Sequence, residues 1–458
     1  MPSTDEIRIY PVGGYSEYGR NMTAVEVDDE IVIFDMGIKL DRVMIDEDLV
    51  FEDTDLLDLV GIGAIPDDSV LESKRDRVVA IVPSHGHLDH IGALPKLAHR
   101  YDCPIICTPY TARLVEAYMA KEKAHMATKD VEIIPLPTGQ MRPLTRKLTL
   151  ELVRMTHSIL DSSMPVLHTP YGEVVYGNDF KLDNNPVIGR PPDYARLKEI
   201  GAGKGESGRG VAALIAETTR AGEDTKTESE SVARAILKDH IMGLENDEDG
   251  MIVTTFSSHT ERIKSIVEFG QKIGREVILL GRSMENYNLL AEEMGFADFM
   301  EDVQVWGRRR SIERALGDVM REGKEKYLIC ATGHQGEPDA LLSRIARDET
   351  PFQLSRGDHV IFSSNVIPHP VNVANFHVLT HRLRRHSVRM IKGAHVSGHG
   401  AREDHYELLQ MLRPEHILPS HGDIKAQAAY IGIAQDFGYA PEDNVHITSN
   451  GRAVTLKV

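Results

Sequence analysis

Cysteine is scarce: Cys103, Cys107 and Cys330 are the only three in 458 residues. Three thiols cannot build a disulfide framework, so the chain reads as one from a reducing compartment. Long apolar runs are missing too. None approaches the roughly 20 residues that a membrane span needs. The start, Met1-Pro2-Ser3-Thr4-Asp5-Glu6, has no basic residues and no apolar stretch after it, so no secretory signal is expected. These absences together predict a cytoplasmic protein without membrane contact. Positive charge is in deficit: 52 Lys and Arg face 70 Asp and Glu, a net charge of −18. A protein that binds nucleic acid over its whole surface is basic. Any contact with a polyanion must therefore use a local patch or a bound metal. Repeats and low-complexity stretches are also absent. What remains is an ordinary globular mixture, 41% hydrophobic and 27% charged, which excludes a mainly disordered or fibrous chain. Its length implies two or three domains of roughly 100–200 residues each.

The pattern changes along the chain. Short β-branched segments bounded by Gly, Pro or Asp predict strands at Ile7–Val12, Thr23–Val27, Ile31–Phe34, Val78–Val82, Ile105–Cys107, Val131–Ile134, Leu148–Met155 and Val174–Tyr176. Helices are expected at Ile91–Arg100 and Ala112–Ala120. After Pro191-Pro192 strands and helices alternate, from a strand at Val211–Ala216 to one at Val360–Ser363. That rhythm predicts a parallel sheet with helices on both faces. The tail carries further helices and short strands, the last at Val445–Thr448 and Ala453–Lys457. The expected organisation is a first domain over 1–190, a second over 191–370, and 371–458 closing the first, so that the second is an insertion. Residues 41–58 hold eight acids and one base and read as a solvated surface loop. Residues 201–210, GAGKGESGRG, follow no strand and lack the Gly-Lys-Ser/Thr ending of a phosphate loop, so they read as a flexible linker.

Histidine carries the chemistry. There are 21, and three fall in His85-Gly86-His87-Leu88-Asp89-His90, directly after a predicted buried strand. Three imidazoles and a carboxylate within six residues are hard to explain as packing. His85 and His87 can point the same way from an extended turn, while Asp89 and His90 come from the next one. That geometry suits two adjacent metals. Neutral imidazole with carboxylate fits zinc, and manganese accepts similar donors. His157, Asp179 and His421 also follow predicted strands and can complete the two shells, with the two oxygens of Asp179 able to bridge. Paired metals lower the pKa of a bridging water and hold the oxygens of an in-line displacement, chemistry that suits a phosphodiester. A second cluster, His395-Val396-Ser397-Gly398-His399-Gly400, offers donors for a phosphate and a histidine for the leaving oxygen. Ser257-Ser258-His259-Thr260 and Gly281-Arg282-Ser283 follow strands and fit phosphate contacts at helix N-termini.

These residues resemble the metallo-β-lactamase signature: His85, His87, Asp89 and His90, then His157, Asp179 and His421. Phe34-Asp35-Met36-Gly37 is similar to that family's early Asp motif, whose acid buttresses the metal loop. The insertion resembles a β-CASP domain, with Glu217, His399 and His421 at its three motif positions. The finer likeness is to the ribonuclease J family, through Thr156-His157-Ser158-Ile159, Gly281-Arg282-Ser283-Met284, Gln335-Gly336-Glu337-Pro338, Phe362-Ser363-Ser364 and the block His395–Gly400. The resemblance implies an α/β fold, a metallo-β-lactamase αββα sandwich with an inserted β-CASP parallel α/β domain. It implies 5′→3′ exonuclease action on single-stranded, 5′-monophosphorylated RNA, with some endonuclease activity. It implies two zinc ions, one on His85, His87 and His157 and one on Asp89, His90 and His421, with Asp179 between them. Asp89, His399 and Glu217 would serve catalysis. Ser258, His259, Thr260, Arg282, Ser283, His395, Val396, Ser397, Gly398 and His399 would hold substrate.

Departures are visible. Glu217 stands where the family has Asp, and His334-Gln335-Gly336 replaces Ser-Gln-Gly. The chain runs only 37 residues past His421, so the shorter archaeal form is expected, as a homodimer. Basic residues Arg308–Arg310, Arg382, Arg384, Arg385 and Lys392 are expected to gather near a cleft. Two other readings compete. One is a small-molecule metallohydrolase of the same superfamily, and the other a scaffold that has lost its ligands.

Overall fold

Side chains alternate across a strand, and strand Glu6–Gly13 buries both sets. Ile7 and Ile9 face one core while Tyr10 and Val12 face another. A strand buried on both faces belongs to an interior layer. The computed structural model describes residues 6–45, 51, 53–123, 130–244, 248–367, 370–441 and 443–457. In it this strand sits in a seven-stranded sheet, in the order Val454–Lys457, Glu6–Gly13, Met22–Val27, Glu30–Phe34, Val78–Val82, Ile105–Cys107 and Ile133–Pro135.

A six-stranded second sheet packs on it, in the order His416–Ser420, Val211–Glu217, Gly172–Gly177, Ser163–Thr169, Thr149–Arg154 and Met141–Pro143. Ile9, Val32, Phe34 and Val82 of the first sheet meet Leu150, Leu152, Val174 and Tyr176 of the second. The rings of Phe34 and Tyr176 stack there at 4.9 Å. The outer face of the first sheet packs on Leu94, Leu97, Tyr110 and Val115 from helices Leu94–Leu97 and Pro109–Lys123. That of the second packs on Leu197, Leu408, Leu412 and Tyr430 from helices Tyr194–Gly201, Arg402–Leu412 and Ile424–Asp436. This is the expected αββα sandwich.

The third sheet is wholly parallel, in the order Gln304–Trp306, Glu276–Leu280, Tyr327–Ala331, Met251–Thr254, His359–Phe362 and Arg389–Ile391. Val253, Leu279 and Leu328 turn to one layer of helices, where Ile263 and Ile266 lie. Ile252, Ile278 and Ile329 turn to the other, with Leu316 and Leu383.

Strand pairing moves both expected boundaries. Val211–Glu217 runs parallel between Gly172–Gly177 and His416–Ser420, inside the sandwich. We therefore place the start of the insertion beyond Glu217 rather than at 191. At the other end, Leu379 and Leu383 of helix Pro370–Arg385 pack on the third sheet, and Arg389–Ile391 pairs with His359–Phe362. We likewise place the return to the sandwich after Ile391 rather than at 371. A short apolar strand beside a helix looks alike in either domain, and only its long-range partner assigns it. Ser163–Thr169, which pairs on both sides in the second sheet, was not expected as a strand because Pro165 interrupts the run. Val445 makes only isolated bridges where a strand was expected. Within 41–58 the structure has helical residues at Leu40–Ile45 and Leu56–Gly61, and residues 46–50 and 52 lie outside those described.

The Gly-rich stretch 201–210 is pinned rather than loose. Ser207 Oγ donates to Glu173 at 2.8 Å, and a Cβ on Gly205 would fall 2.1 Å from the same carboxylate. Beneath it His168 donates from Nε2 to Glu151 at 2.8 Å and from Nδ1 to Glu173 at 3.2 Å. Arg196 also reaches Glu151, at 2.7 Å. Burial alone would lower the His168 pKa, but these two carboxylates raise it to about 9. The stabilisation is complete below the ordinary histidine value and is lost as pH rises through about 9. His168→Asn should cost about 3 kcal/mol at neutral pH by stranding buried charge. The gap to the parent should narrow above pH ~9, as read by urea unfolding at both pH values.

Candidate metal centre

Adjacent strands end at one rim of the sandwich. Gly172–Gly177, Val211–Glu217 and His416–Ser420 run parallel, so the residues after them, Asp179, Glu217 itself and His421, come together. Across the rim Val78–Val82 of the first sheet delivers His85, His87, Asp89 and His90, and Thr149–Arg154 leads to His157. Asp35, Asp179 and His421 adopt left-handed backbone, with φ of 59°, 47° and 45°. That is uncommon for residues with a Cβ and is typical of functional sites. Gly37 is required beside them, because a Cβ there would fall 1.6 Å from the Asp89 carbonyl oxygen.

Three sets of donor atoms result, each within 4.8 Å of one another: His85, His87, His157 and Asp179; Asp89, His90, Asp179 and His421; and Asp179, Glu217 and His399. In the first, His85 Nε2 and His157 Nε2 lie 3.1 and 3.2 Å from His87 Nδ1. The same two nitrogens lie 3.6 and 3.5 Å from Asp179 Oδ2. Four tetrahedral ligands at zinc bond lengths would stand about 3.3 Å apart. In the second, His90 Nε2 is 3.6 Å from Asp89 Oδ2 and 3.1 Å from Asp179 Oδ2, and His421 Nε2 is 3.5 Å from Asp179 Oδ1. Asp179 Oδ1 is buried without a hydrogen-bond partner.

Proton accounting agrees with metal ligation. Ser84 donates its N–H and Oγ–H to Asp35, at 2.7 and 3.1 Å. Its Oγ is then free to accept from His85 Nδ1 at 3.0 Å. His90 Nδ1 donates to Asp35 at 2.7 Å, His157 Nδ1 to the Gly398 carbonyl at 2.7 Å, and His421 Nδ1 to Asn21 Oδ1 at 2.8 Å. His87 Nε2 contacts Ser258 Oγ at 3.2 Å. Each outward nitrogen is held, which turns the other nitrogen of each ring inward; that of His90 also lies 3.2 Å from Asn21 Nδ2. This is the second-layer pattern of histidine metal sites.

The charges point the same way. Among the described residues, the ion pairs of Asp89 and Asp179 are all with histidines. Burial and neighbouring imidazoles hold His85 well below the usual range, and burial lowers His87 to about 4. Burial also lowers His157 strongly. Burial alone would lower His90 too, but Asp179, Asp89 and Asp35 raise it well above that range. Asp179 is depressed despite its burial, by His421, His90 and His399. Positive charge belongs in this hollow.

Glu217 and His399 border it. His399 Nδ1 donates to Glu217 Oε2 at 2.8 Å, and Glu217 Oε1 accepts from the Phe180 N–H at 3.0 Å. Burial opposes the charge on His399, but Glu217 and Asp179 raise it to about 9. The insertion reaches the rim through Ser258. His259 and Thr260 are buried at the start of helix Thr260–Lys272. Arg282 and Ser283 are exposed at the start of helix Arg282–Glu293. In the return loop Val396 and Gly398 are buried, while His395, Ser397 and His399 are partly exposed. The expected basic residues lie on different elements: Arg308–Arg310 open helix Arg309–Glu322, and Arg382, Arg384 and Arg385 end helix Pro370–Arg385. Lys392 lies 4.5 Å from the centre of the Phe376 ring.

Sequence reasoning missed Asn21, which binds His421 and donates to the Asp89 carbonyl at 3.1 Å. It also missed Ser84 as the relay between Asp35 and His85. Neither carries a local signal beyond standing next to a turn or a motif.

Comparison with known proteins follows the same division. Residues 16–220 match the metallo-beta-lactamase superfamily. Residues 248–379 match the ribonuclease J beta-CASP domain, and residues 385–445 match a Zn-dependent metallo-hydrolase RNA specificity domain. A ribonuclease J of Methanocaldococcus jannaschii is 50% identical over 452 residues, covering 99% of both chains. One of Pyrococcus abyssi is 45% identical, over 98% of this chain and 97% of that one. Ribonuclease J 1 of Streptococcus pyogenes is 32% identical over 99% of this chain and 75% of its own. A crystal structure of an Enterococcus faecalis protein of unknown function shares the fold, with a TM-score of 0.65 at 16% identity over 98% of this chain and 100% of that one. Donor sets at the rim of an αββα sandwich, an inserted β-CASP domain and full-length identity to archaeal relatives lead to one assignment: the chain belongs to the ribonuclease J family.

Proposed function

We propose that this protein is a metal-dependent ribonuclease that degrades single-stranded, 5′-monophosphorylated RNA from its 5′ end and can also cut internally. The observation that carries the reading is Asp179, which belongs to both four-residue donor sets at once: its Oδ2 faces His85, His157 and His90, and its Oδ1 faces His421. Those sets suit two zinc ions per chain, with manganese as the other candidate. When bound, such ions supply water acidified towards neutrality and positive charge for phosphate oxygens.

The remaining work falls to the chain itself. Asp35, Asn21 and the Gly398 carbonyl hold His90, His421 and His157 in orientation. Glu217 holds the Nδ1 proton of His399, leaving Nε2 to deliver a proton to the departing 3′-oxygen. Ser258 lies beside His87, where the next phosphate would sit, with His259 and Thr260 following it in the chain, and the Gly398 carbonyl of the His395–His399 loop meets His157. Arg282 and Ser283 open a helix whose N-terminus favours an anion.

A small-molecule hydrolase needs no inserted domain touching the metal loop, and Ser258 Oγ at 3.2 Å from His87 speaks against that reading. No helix among the described residues is long and apolar enough to cross a membrane. A cytoplasmic homodimer remains part of the proposal.

Elemental analysis of protein purified without added ions should find two metals per chain. Asp179→Ala should bind less than one, and Asp35→Ala should lose roughly 10–100-fold in metal affinity. Incubated with 5′-monophosphorylated RNA, the enzyme should release mononucleotides from the start of the reaction. Intact RNA at saturating metal would overturn the proposal, and rapid thioester cleavage without action on RNA would favour the small-molecule reading. His399→Ala should lower kcat by about 10²–10⁴-fold while keeping both metals.

A further inference from the structure

Among the described residues, Arg262 heads the largest fully enclosed side chains, with 0% exposure. It lies on helix Thr260–Lys272, in the insertion. A guanidinium offers five N–H donors and no acceptor, so none of its neighbours can donate to it. Nε and Nη2 donate to the two oxygens of Glu230, at 2.5 and 2.8 Å. Nη1 faces the Ser363 carbonyl and Oγ, both at 2.9 Å, and the Ala394 carbonyl at 3.1 Å. Its last neighbour is His395 Nδ1, at 3.3 Å. Ser363 Oγ in turn donates to the Ala394 carbonyl at 2.7 Å. One buried cation thus ties helix Glu230–Met242 to the residue after strand His359–Phe362 and to the loop that returns to the metal centre.

We infer that Arg262 is a positioning residue that fixes His395 as its Nε2-protonated tautomer, making it a neutral hydrogen-bond donor to a nucleotide phosphate. The step is one of elimination. An imidazole nitrogen facing a group that can only donate must be bare, so the ring proton sits on Nε2. The neighbours keep the ring uncharged. Burial, Arg262, His259 and His334 all disfavour a second proton, with Glu230 alone opposing, and the pKa falls to about 2. His399, four residues along the same loop, instead donates from Nδ1 to Glu217 at 2.8 Å. The loop therefore separates two tasks. His399 holds a proton for the leaving oxygen, and His395 donates without giving its proton up. The role at the phosphate rests on the ribonuclease reading, whereas the tautomer stands on the Arg262 geometry alone.

Ring-¹⁵N-histidine NMR of the intact protein tests the tautomer, with His395→Gln used to assign its signals. The expected spectrum shows a bare Nδ1 and a protonated Nε2, unchanged between about pH 5 and pH 8. An Nδ1-protonated ring, or one that titrates in that interval, would overturn the inference. A double variant, Arg262→Met with Glu230→Gln, removes the buried cation and anion together. It should populate both tautomers and raise KM for 5′-monophosphorylated RNA roughly 10–100-fold, the range for a hydrogen bond to a charged group. Its kcat should stay within about threefold. An unchanged tautomer in that variant would show that Arg262 only holds the fold, and the inference would fail. If the double variant does not fold, the wild-type spectrum still decides. If the wild-type enzyme cleaves no RNA, the ribonuclease reading falls while the ring spectrum continues to report on Arg262.

Discussion

Carboxylates buried against imidazoles are the constraint on which the rest of this structure depends. Asp179 is 3% exposed, is reached by His85, His90, His157 and His421, and leaves one oxygen without a hydrogen bond. A buried charge without compensation is strongly unfavourable, so this arrangement makes sense only around cations. Much of the local backbone serves it. Left-handed residues at Asp35, Asp179 and His421 turn the chain into the hollow, and Gly37 lets the Asp89 backbone come close. Asn21, Ser84 and Asp35 hold the outward nitrogens. The sandwich supplies the rigidity, since three parallel strands of one sheet and Val78–Val82 of the other end at the same rim.

The insertion is joined to that rim. His87 touches Ser258, and the Tyr110 hydroxyl of the sandwich donates to the Tyr287 carbonyl at 3.0 Å. Arg262 adds the connection to the return loop, and that loop's Gly398 carbonyl orients His157. The insertion and the donor sets are thus joined through short contacts between rigid elements, which favours accurate placement. The arrangement also eases the tension between an acidic chain and a polyanionic substrate. Donors and metals concentrated at one rim can attract phosphate locally, whatever the net charge of −18 implies for the surface at large.

The metal motif was legible because its parts are close in sequence: His85, His87, Asp89 and His90 share one turn. His157, Asp179 and His421 were legible as polar residues just past strands. Arg262 was not, because an arginine on an amphipathic helix normally looks solvated. Its burial follows from Glu230, Ser363 and Ala394 arriving from three other elements. Ser163–Thr169 was hidden by Pro165, and the contacts of Gly205 and Ser207 with Glu173, which pin the 201–210 stretch, leave no local signal.

The sequence by itself showed the strand–helix rhythm and the six-residue cluster His85–His90, because these are local patterns, and its short motifs carried the resemblance that implied the fold and the family. Only the tertiary structure decided that Val211–Glu217 belongs to the sandwich and Arg389–Ile391 to the insertion. It alone decided which nitrogen of each histidine turns inward, and that His395 and His399 face opposite charges. Pairing partners and hydrogen-bond donors come from residues hundreds of positions away, and local sequence carries no record of which distant group will arrive.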